Sequence, residues 1–250
     1  METNTYLRYS TSQPHPNPPP QAGEGTSFRQ PESCCHVLKR ATLVFCAGAP
    51  NPELSILNQG FDLLVGVDGG ARVLATHGYA PDWAIGDFDS APPPECRHIL
   101  RLPPEKDDTD LEAALLHILP NYPVEQIEKI VILGALGGGR LDHLLANIWL
   151  AQQPRFAHYV EKFFFWEQGN TLKFYRAGCH HIRREWDKRY LSFIGLTALR
   201  GVSLRGVKYG VSEQDYPQPI ALISNEFLDD EMGLYLGDGL VAAIQSRDLI

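Results

Sequence analysis

Two aspartates, Asp87 and Asp89, stand two apart in "AIGDFDS" (residues 84–90), directly after an apolar run. In a continuing strand both would face the same way, because strand side chains alternate with period two. Two carboxylates on one face repel unless a cation lies between them, and oxygen-only ligands suit Mg²⁺. The plainer reading is a polar turn leaving a strand. Acid and glycine recur further on: Asp68-Gly69-Gly70, then "KDDTD" from Lys106 to Asp110, then "GALGGGRLDH" from Gly134 to His143. The glycine run precedes a helical pattern, so bare backbone N–H groups and the positive end of a helix can meet an anion there. Arg140 adds a forked donor suited to phosphate oxygens, and Lys106 adds a point charge. Carboxylates reach a polyphosphate only through a hard cation, so these parts together imply metal-assisted phosphate chemistry. There is no Walker A spacing and no Gly-x-Gly-x-x-Gly after the first strand, which excludes an ordinary P-loop and leaves a dinucleotide fold unsupported.

The elements that must position these residues follow from periodicity. "ATLVFCAG", "FDLLVGVDGG", "DWAIGDFDS", "RHILRLP" and "EKIVILGA" are strands, each leaving through a polar or glycine loop. "ARVLATHG", "TDLEAALLHIL" and "LDHLLANIWLAQQ" are helices, the second opened by a capping box of Thr109 with Glu112 three residues on. Strands alternating with helices predict a mostly parallel sheet with helices on both faces, and such sheets bind ligands beyond the strand C-termini. All the acidic and glycine loops fall on that edge. After about Gln153 helical periodicity stops, and short strands such as "NTLKFYRAG", "YLSFIGL", "IALISNEF" and "LVAAIQS" predict a β-sandwich. The expected fold is an α/β N-terminal domain with a mostly parallel sheet, plus a C-terminal all-β sandwich domain. The expected division is a disordered tail over 1–40, rich in Pro, Gly, Ser and Gln, an α/β domain over 41–157, and a β-domain over 158–250.

Charge and composition narrow the function. A formal net charge of −8 argues against a nucleic-acid binder. No apolar run approaches the roughly 20 residues of a membrane span, and no signal core is present near the start. The five cysteines are scattered without metal-finger spacing, which reads as free thiols in a reducing, cytoplasmic setting.

The blocks "VDGGARVLATHGYAPDWAIGDFDS", "KDDTDLEAAL", "GALGGGRLDHLLANI" and "ISNEF" resemble, in this order and spacing, those of thiamine pyrophosphokinases, and the likeness runs from about Thr42 to Ser246. The resemblance implies transfer of a pyrophosphoryl group from ATP to the hydroxyl of thiamine, giving thiamine diphosphate and AMP. It also implies Mg²⁺ and a homodimer whose active site, with thiamine in it, is shared between subunits. Carried over residue by residue, it makes Asp87, Asp89 and Asp110 metal ligands, and makes these three and Asp142 the catalytic carboxylates. It puts Asp68, Gly69, Lys106, Asp107, Thr109, Gly138, Arg140 and His143 near ATP and its phosphates, and Ser224 and Asn225 near thiamine. Asp110 and Asp142 both remain open as acceptor of the hydroxyl proton. The chain departs from the pattern at Arg72, where Asn is expected, at a glycine run one residue longer than usual, and at Lys106, where some members carry Gln. Two other readings are a pyrophosphokinase for another alcohol, such as a hydroxymethylpterin, and a non-catalytic thiamine or nucleotide sensor. The intact aspartates speak against the sensor.

Overall fold

A computed structural model describes residues 40–50 and 52–248; the expected tail, but for Arg40, lies outside the described residues. Six strands form the first half of a ten-stranded sheet: β1 (Ala41–Cys46), β2 (Leu63–Val67), β3 (Trp83–Gly86), β4 (His98–Arg101), β5 (Ile127–Leu133) and β6 (Phe163–Glu167). Among themselves they pair in parallel, in the order β6-β5-β1-β2-β3-β4. The crossovers carry the helices α1 (Gly69–Thr76), α2 (Asp110–Ile118) and α3 (Leu141–Trp149). Central strands are buried on both faces, as parallel sheets covered by helices must be. Leu43 and Phe45 of β1 face α2 through Leu111, Leu115 and Ile118. Val44 and Cys46 face the opposite layer, built by Leu74 of α1 and by a short 3-10 helix at Leu54–Gln59. Burial among these apolar groups pushes the Cys46 thiol up to about 12.

The second half is antiparallel. Its strands are β7 (Asn170–Tyr175), β8 (Gly178–Arg183), β9 (Tyr190–Gly195), β10 (Leu199–Arg205), β11 (Val211–Tyr216), β12 (Ala221–Asn225), β13 (Glu231–Leu236) and β14 (Val241–Ser246). The pairing changes from parallel to antiparallel at β6, where β7 folds back upon it. β7, β14, β9 and β12 then extend the same sheet, while β11-β10-β13-β8 form a separate four-stranded sheet. Phe193, Val241 and Ala243 from the first meet Val202, Leu204, Met232 and Leu234 from the second, which makes the sandwich. The aromatic run that opens β6 is core: Phe163 and Phe165 are fully buried.

The sequence patterns passed over β6, β8 and β11 as strands. β8 and β11 are the two edges of the four-stranded sheet. β8 buries only Ile182 fully and β11 buries nothing fully, so neither shows the apolar alternation that marks a strand. Polar edges of this kind discourage pairing with other chains.

The approach of α1 to the end of β1 depends on Gly70. A Cβ built there would lie 1.9 Å from the Cys46 carbonyl oxygen, which is backbone and cannot turn aside. Gly70→Ala is expected to cost about 3 kcal/mol or more, the upper range for overpacking. Urea unfolding would show it as a lowered midpoint; an unchanged midpoint would mean that α1 can shift without loss.

Candidate active site

The C-terminal ends of the parallel strands bring three carboxylates together. Asp68 follows β2, Asp87 follows β3 and Asp110 opens α2, and carboxylate oxygens of all three lie within 4.8 Å of one another. Asp68 stands at the N-cap position of α1 with φ 45° and makes no side-chain cap, so its carboxylate is not used by the helix. Non-glycine residues held in such sparsely populated conformations concentrate at functional sites. Spacing paired Asp87 with Asp89, and the family resemblance added Asp110; the fold gathers Asp87 and Asp110 with Asp68. β3 ends at Gly86, and Phe88 takes the left-handed conformation at φ 53° with its ring buried, so period-two alternation stops before Asp89. Asp89 is exposed, and its carboxylate accepts a 2.8 Å hydrogen bond from the Ser90 hydroxyl.

Lys106 reaches into this acidic group. Its Nζ lies 3.3 Å from Asp87 Oδ2 and 3.1 Å from Asp110 Oδ1. Burial works to lower the Lys106 pKa, but the Asp110 and Asp87 carboxylates beside it outweigh this and hold it above its ordinary value. Burial raises the Asp110 carboxyl, against the pull of Lys106. Asp110 Oδ1 is buried with no hydrogen-bond partner, so its contact with Lys106 is one of charge without an aligned donor. A buried carboxylate oxygen answered by charge but by no aligned hydrogen bond, beside two more carboxylates, fits a hard divalent cation.

Next to these residues lies a cleft of about 260 Å³, lined by Asp68, Thr109, Asp110, Gly138, Arg140 and His143 and walled by Ala47–Pro50 after β1. The capping box at α2 is present: the Thr109 hydroxyl oxygen accepts from the Glu112 N–H, and the Glu112 carboxylate accepts from the Thr109 N–H. Because Thr109 Oγ accepts, its proton remains available to a ligand. The glycine loop bends through positive φ at Gly134, Gly138 and Gly139. Arg140 and Asp142 are exposed and pair at 2.5 Å, which holds the Asp142 carboxyl below the usual range. Asp107 is exposed, and Gly69 borders a neighbouring hollow with Gly48 and Arg72.

Two residues that spacing did not single out fix this loop. Glu167, at the end of β6, accepts from the N–H groups of Ala135 at 2.6 Å and Leu136 at 3.1 Å. Burial pushes its carboxyl up, against these same bonds. Asn147 of α3 donates to the Ala135 carbonyl at 2.7 Å. The one sequence signal was an acid closing the apolar run "FFFWE".

Ser224 and Asn225 are elsewhere. They end β12, which lies eight strand positions from β3 in the ten-stranded sheet. At ~4.8 Å per strand that is roughly 38 Å along the sheet. Ser224 is exposed with φ 59°, and its N–H donates to the Ser192 hydroxyl. Asn225 is 4% exposed, and its amide clamps Tyr209: it accepts from the Tyr209 N–H and donates to the Tyr209 carbonyl, both at 2.9 Å. Tyr209 itself is 59% exposed.

Residues 54–161 match the thiamin pyrophosphokinase catalytic domain, and residues 179–239 match the thiamin pyrophosphokinase vitamin B1 binding domain. A thiamine pyrophosphokinase of Bacillus subtilis is 30% identical over 219 residues, covering 83% of this chain and 99% of the relative. Its crystal structure superposes with a TM-score of 0.71 at 30% identity, covering 83% of this chain and all of that one. A thiamin pyrophosphokinase family protein of Enterococcus faecalis superposes with a TM-score of 0.78 at 34% identity, covering 84% of this chain and all of its own. Similarity of this extent spans both the α/β half and the sandwich, and the chain belongs to the thiamin pyrophosphokinase family.

Proposed function

We infer that the chain is an enzyme that transfers the pyrophosphoryl group of ATP to the hydroxyl of thiamine, yielding thiamine diphosphate and AMP. The observation that carries the chemistry is the convergence of Asp68, Asp87 and Asp110 beside the glycine-loop cleft. We assign the Mg²⁺ of the reaction to these carboxylates, with exposed Asp89 at the rim. When bound, the ion supplies charge neutralisation at the phosphate oxygens. The protein's own share is positioning and electrostatics, as in phosphoryl transfer generally. The N–H groups of the glycine loop, the Thr109 hydroxyl and Arg140 hold the triphosphate in the cleft. Glu167 and Asn147 keep the loop in shape for it. The thiamine oxygen attacks the β-phosphorus, its proton leaves, and AMP departs. Asp142 is engaged by Arg140 and held acidic, which weakens it as acceptor of the hydroxyl proton, and Asp110 is committed to the cation.

The match of residues 179–239 to a vitamin B1 binding domain favours thiamine over a pterin alcohol as acceptor. Asn225 serves thiamine through Tyr209: it clamps the Tyr209 backbone, and the exposed Tyr209 side chain, which already takes the Lys208 ammonium over its ring, offers a π-surface to a cationic thiazolium. The roughly 38 Å along the sheet between β12 and β3 is far beyond the ~3–3.5 Å that the reacting atoms require. We therefore place Tyr209, Ser224 and Asn225 in the site of a second copy of the chain, in a homodimer. α3 supports this, since Leu141, Leu145 and Trp149 form an apolar stripe on it, exposed at 67%, 46% and 55%. No described helix is long and apolar enough to cross a membrane, and Cys46, Cys96 and Cys179 are free thiols. A cytoplasmic setting accords with those thiols.

Formation of AMP from ATP tests the reaction. It is expected only with thiamine present, in equal amount to thiamine diphosphate. AMP formed with a hydroxymethylpterin and not with thiamine would overturn the acceptor, and no AMP with either would overturn the enzyme.

A further inference from the structure

We propose that Lys106 is the resting counter-ion of the acidic site, a tethered cation that occupies Asp87 and Asp110 until a divalent ion displaces it. The proposal rests on the reading of Asp68, Asp87 and Asp110 as a cation site. Three carboxylates with oxygens within 4.8 Å of one another repel strongly when ionised. Lys106 answers that repulsion from within the chain. Its side chain is only 15% exposed, and its Nζ meets Asp87 at 3.3 Å and Asp110 at 3.1 Å, with the Pro103 carbonyl at 3.4 Å as a third partner.

The arrangement holds the ammonium without locking it. One positive charge faces three carboxylates, so the site stays attractive to a second cation. Asp110 Oδ1 has no aligned hydrogen bond, although it is buried. A lysine stem is flexible, and its head is a point charge that can change partners at small geometric cost. The metal and Lys106 want the same two carboxylates, so in the free protein each divalent ion pays for evicting the ammonium. A polyphosphate in the neighbouring cleft changes this, because its oxygens give Lys106 somewhere else to go. Metal and nucleotide then favour one another, and the coupling is reciprocal. At this position a neutral side chain, such as glutamine, would leave the site open to metal alone. Lys106 thus sets how strongly metal loading waits for the nucleotide.

The test uses the full chain without nucleotide, titrated with Mn²⁺ and read by the loss of the free-ion electron paramagnetic resonance signal. Lys106→Gln is expected to bind Mn²⁺ on the order of tenfold more tightly than the parent, within the range that coupled sites show. Lys106→Arg, which keeps the charge, is expected to stay close to the parent. Asp87→Asn reports on the underlying reading: it should weaken Mn²⁺ binding, and unaltered binding would remove the cation site itself. If Asp87→Asn weakens binding while Lys106→Gln leaves it unchanged or weaker, the cation site stands and the role of Lys106 falls. Thermal melting covers the case in which Lys106→Gln folds poorly. In chelator its midpoint should drop below the parent's, and Mn²⁺ should raise it by more than it raises the parent's. An equal or smaller rise would overturn the proposal.

Discussion

Asp87→Asn is expected to lower kcat on the order of 10²–10³-fold, the scale on which a centre that stabilises transferring charge contributes. Asparagine keeps the shape and removes the charge, and the circular dichroism spectrum should match the parent's. The same substitution at Asp110 should act alike, because both carboxylates face the same narrow volume. Asp89→Asn is the informative contrast. Asp89 is exposed and bonded to its neighbour Ser90, so its loss should cost less than about tenfold, as solvent-facing charges usually do. The rates are to be measured across a Mg²⁺ series. Asp89→Asn as damaging as Asp87→Asn would mean that the loop after β3 closes over the ion. Near-parental turnover of Asp87→Asn at limiting Mg²⁺ would end the assignment of the metal to this cluster.

Mixing two inactive chains should restore activity. Asp87→Asn damages the cleft, and Asn225→Ala damages the far end of the sheet, where it releases Tyr209. If each site draws these residues from different chains, every mixed dimer holds one site free of both defects. Random exchange of equal amounts then returns about a quarter of the parental rate, since half the dimers are mixed and each has one good site in two. The assay belongs at thiamine concentrations where Asn225→Ala alone is nearly silent, because that substitution should raise the thiamine requirement far more than the ATP requirement. Asn225 is buried and satisfies two backbone groups of Tyr209, so its loss also strains the fold. Tyr209→Ala removes the exposed ring without that burden and should complement Asp87→Asn equally well. Verified subunit exchange with no recovery from either pairing would place both residues in one chain's site.

Much of this protein is legible in its sequence because the informative signals are local. The apolar runs of β1, β2 and β5 declare strands buried on both faces, and the spacing of Leu111, Leu115 and Ile118 declares α2. The Thr109–Glu112 capping box needs only four residues to specify itself, and it forms as spelled. The rule that parallel sheets bind beyond their C-terminal edge then places Asp68, Asp87, Asp110 and the glycine loop together before any coordinate is known. What spacing could not decide was which carboxylates meet. Asp87 and Asp89 are neighbours in sequence, but a left-handed Phe88 separates them, and a buried ring enforces that turn through tertiary packing. Asp68 joins instead because β2 lies beside β3 in the sheet, a fact of strand order that no local pattern carries. The same holds for Glu167, whose contact with Ala135 spans 32 residues and exists only because β6 pairs with β5. The polar edges β8 and β11 carry no alternation because they bury almost nothing on either face, so the core asks for no apolar residues there. The distance between Asn225 and Asp87 is likewise a product of sheet order: one continuous sheet sets the strand that ends at Asn225 eight positions from the strand that precedes Asp87.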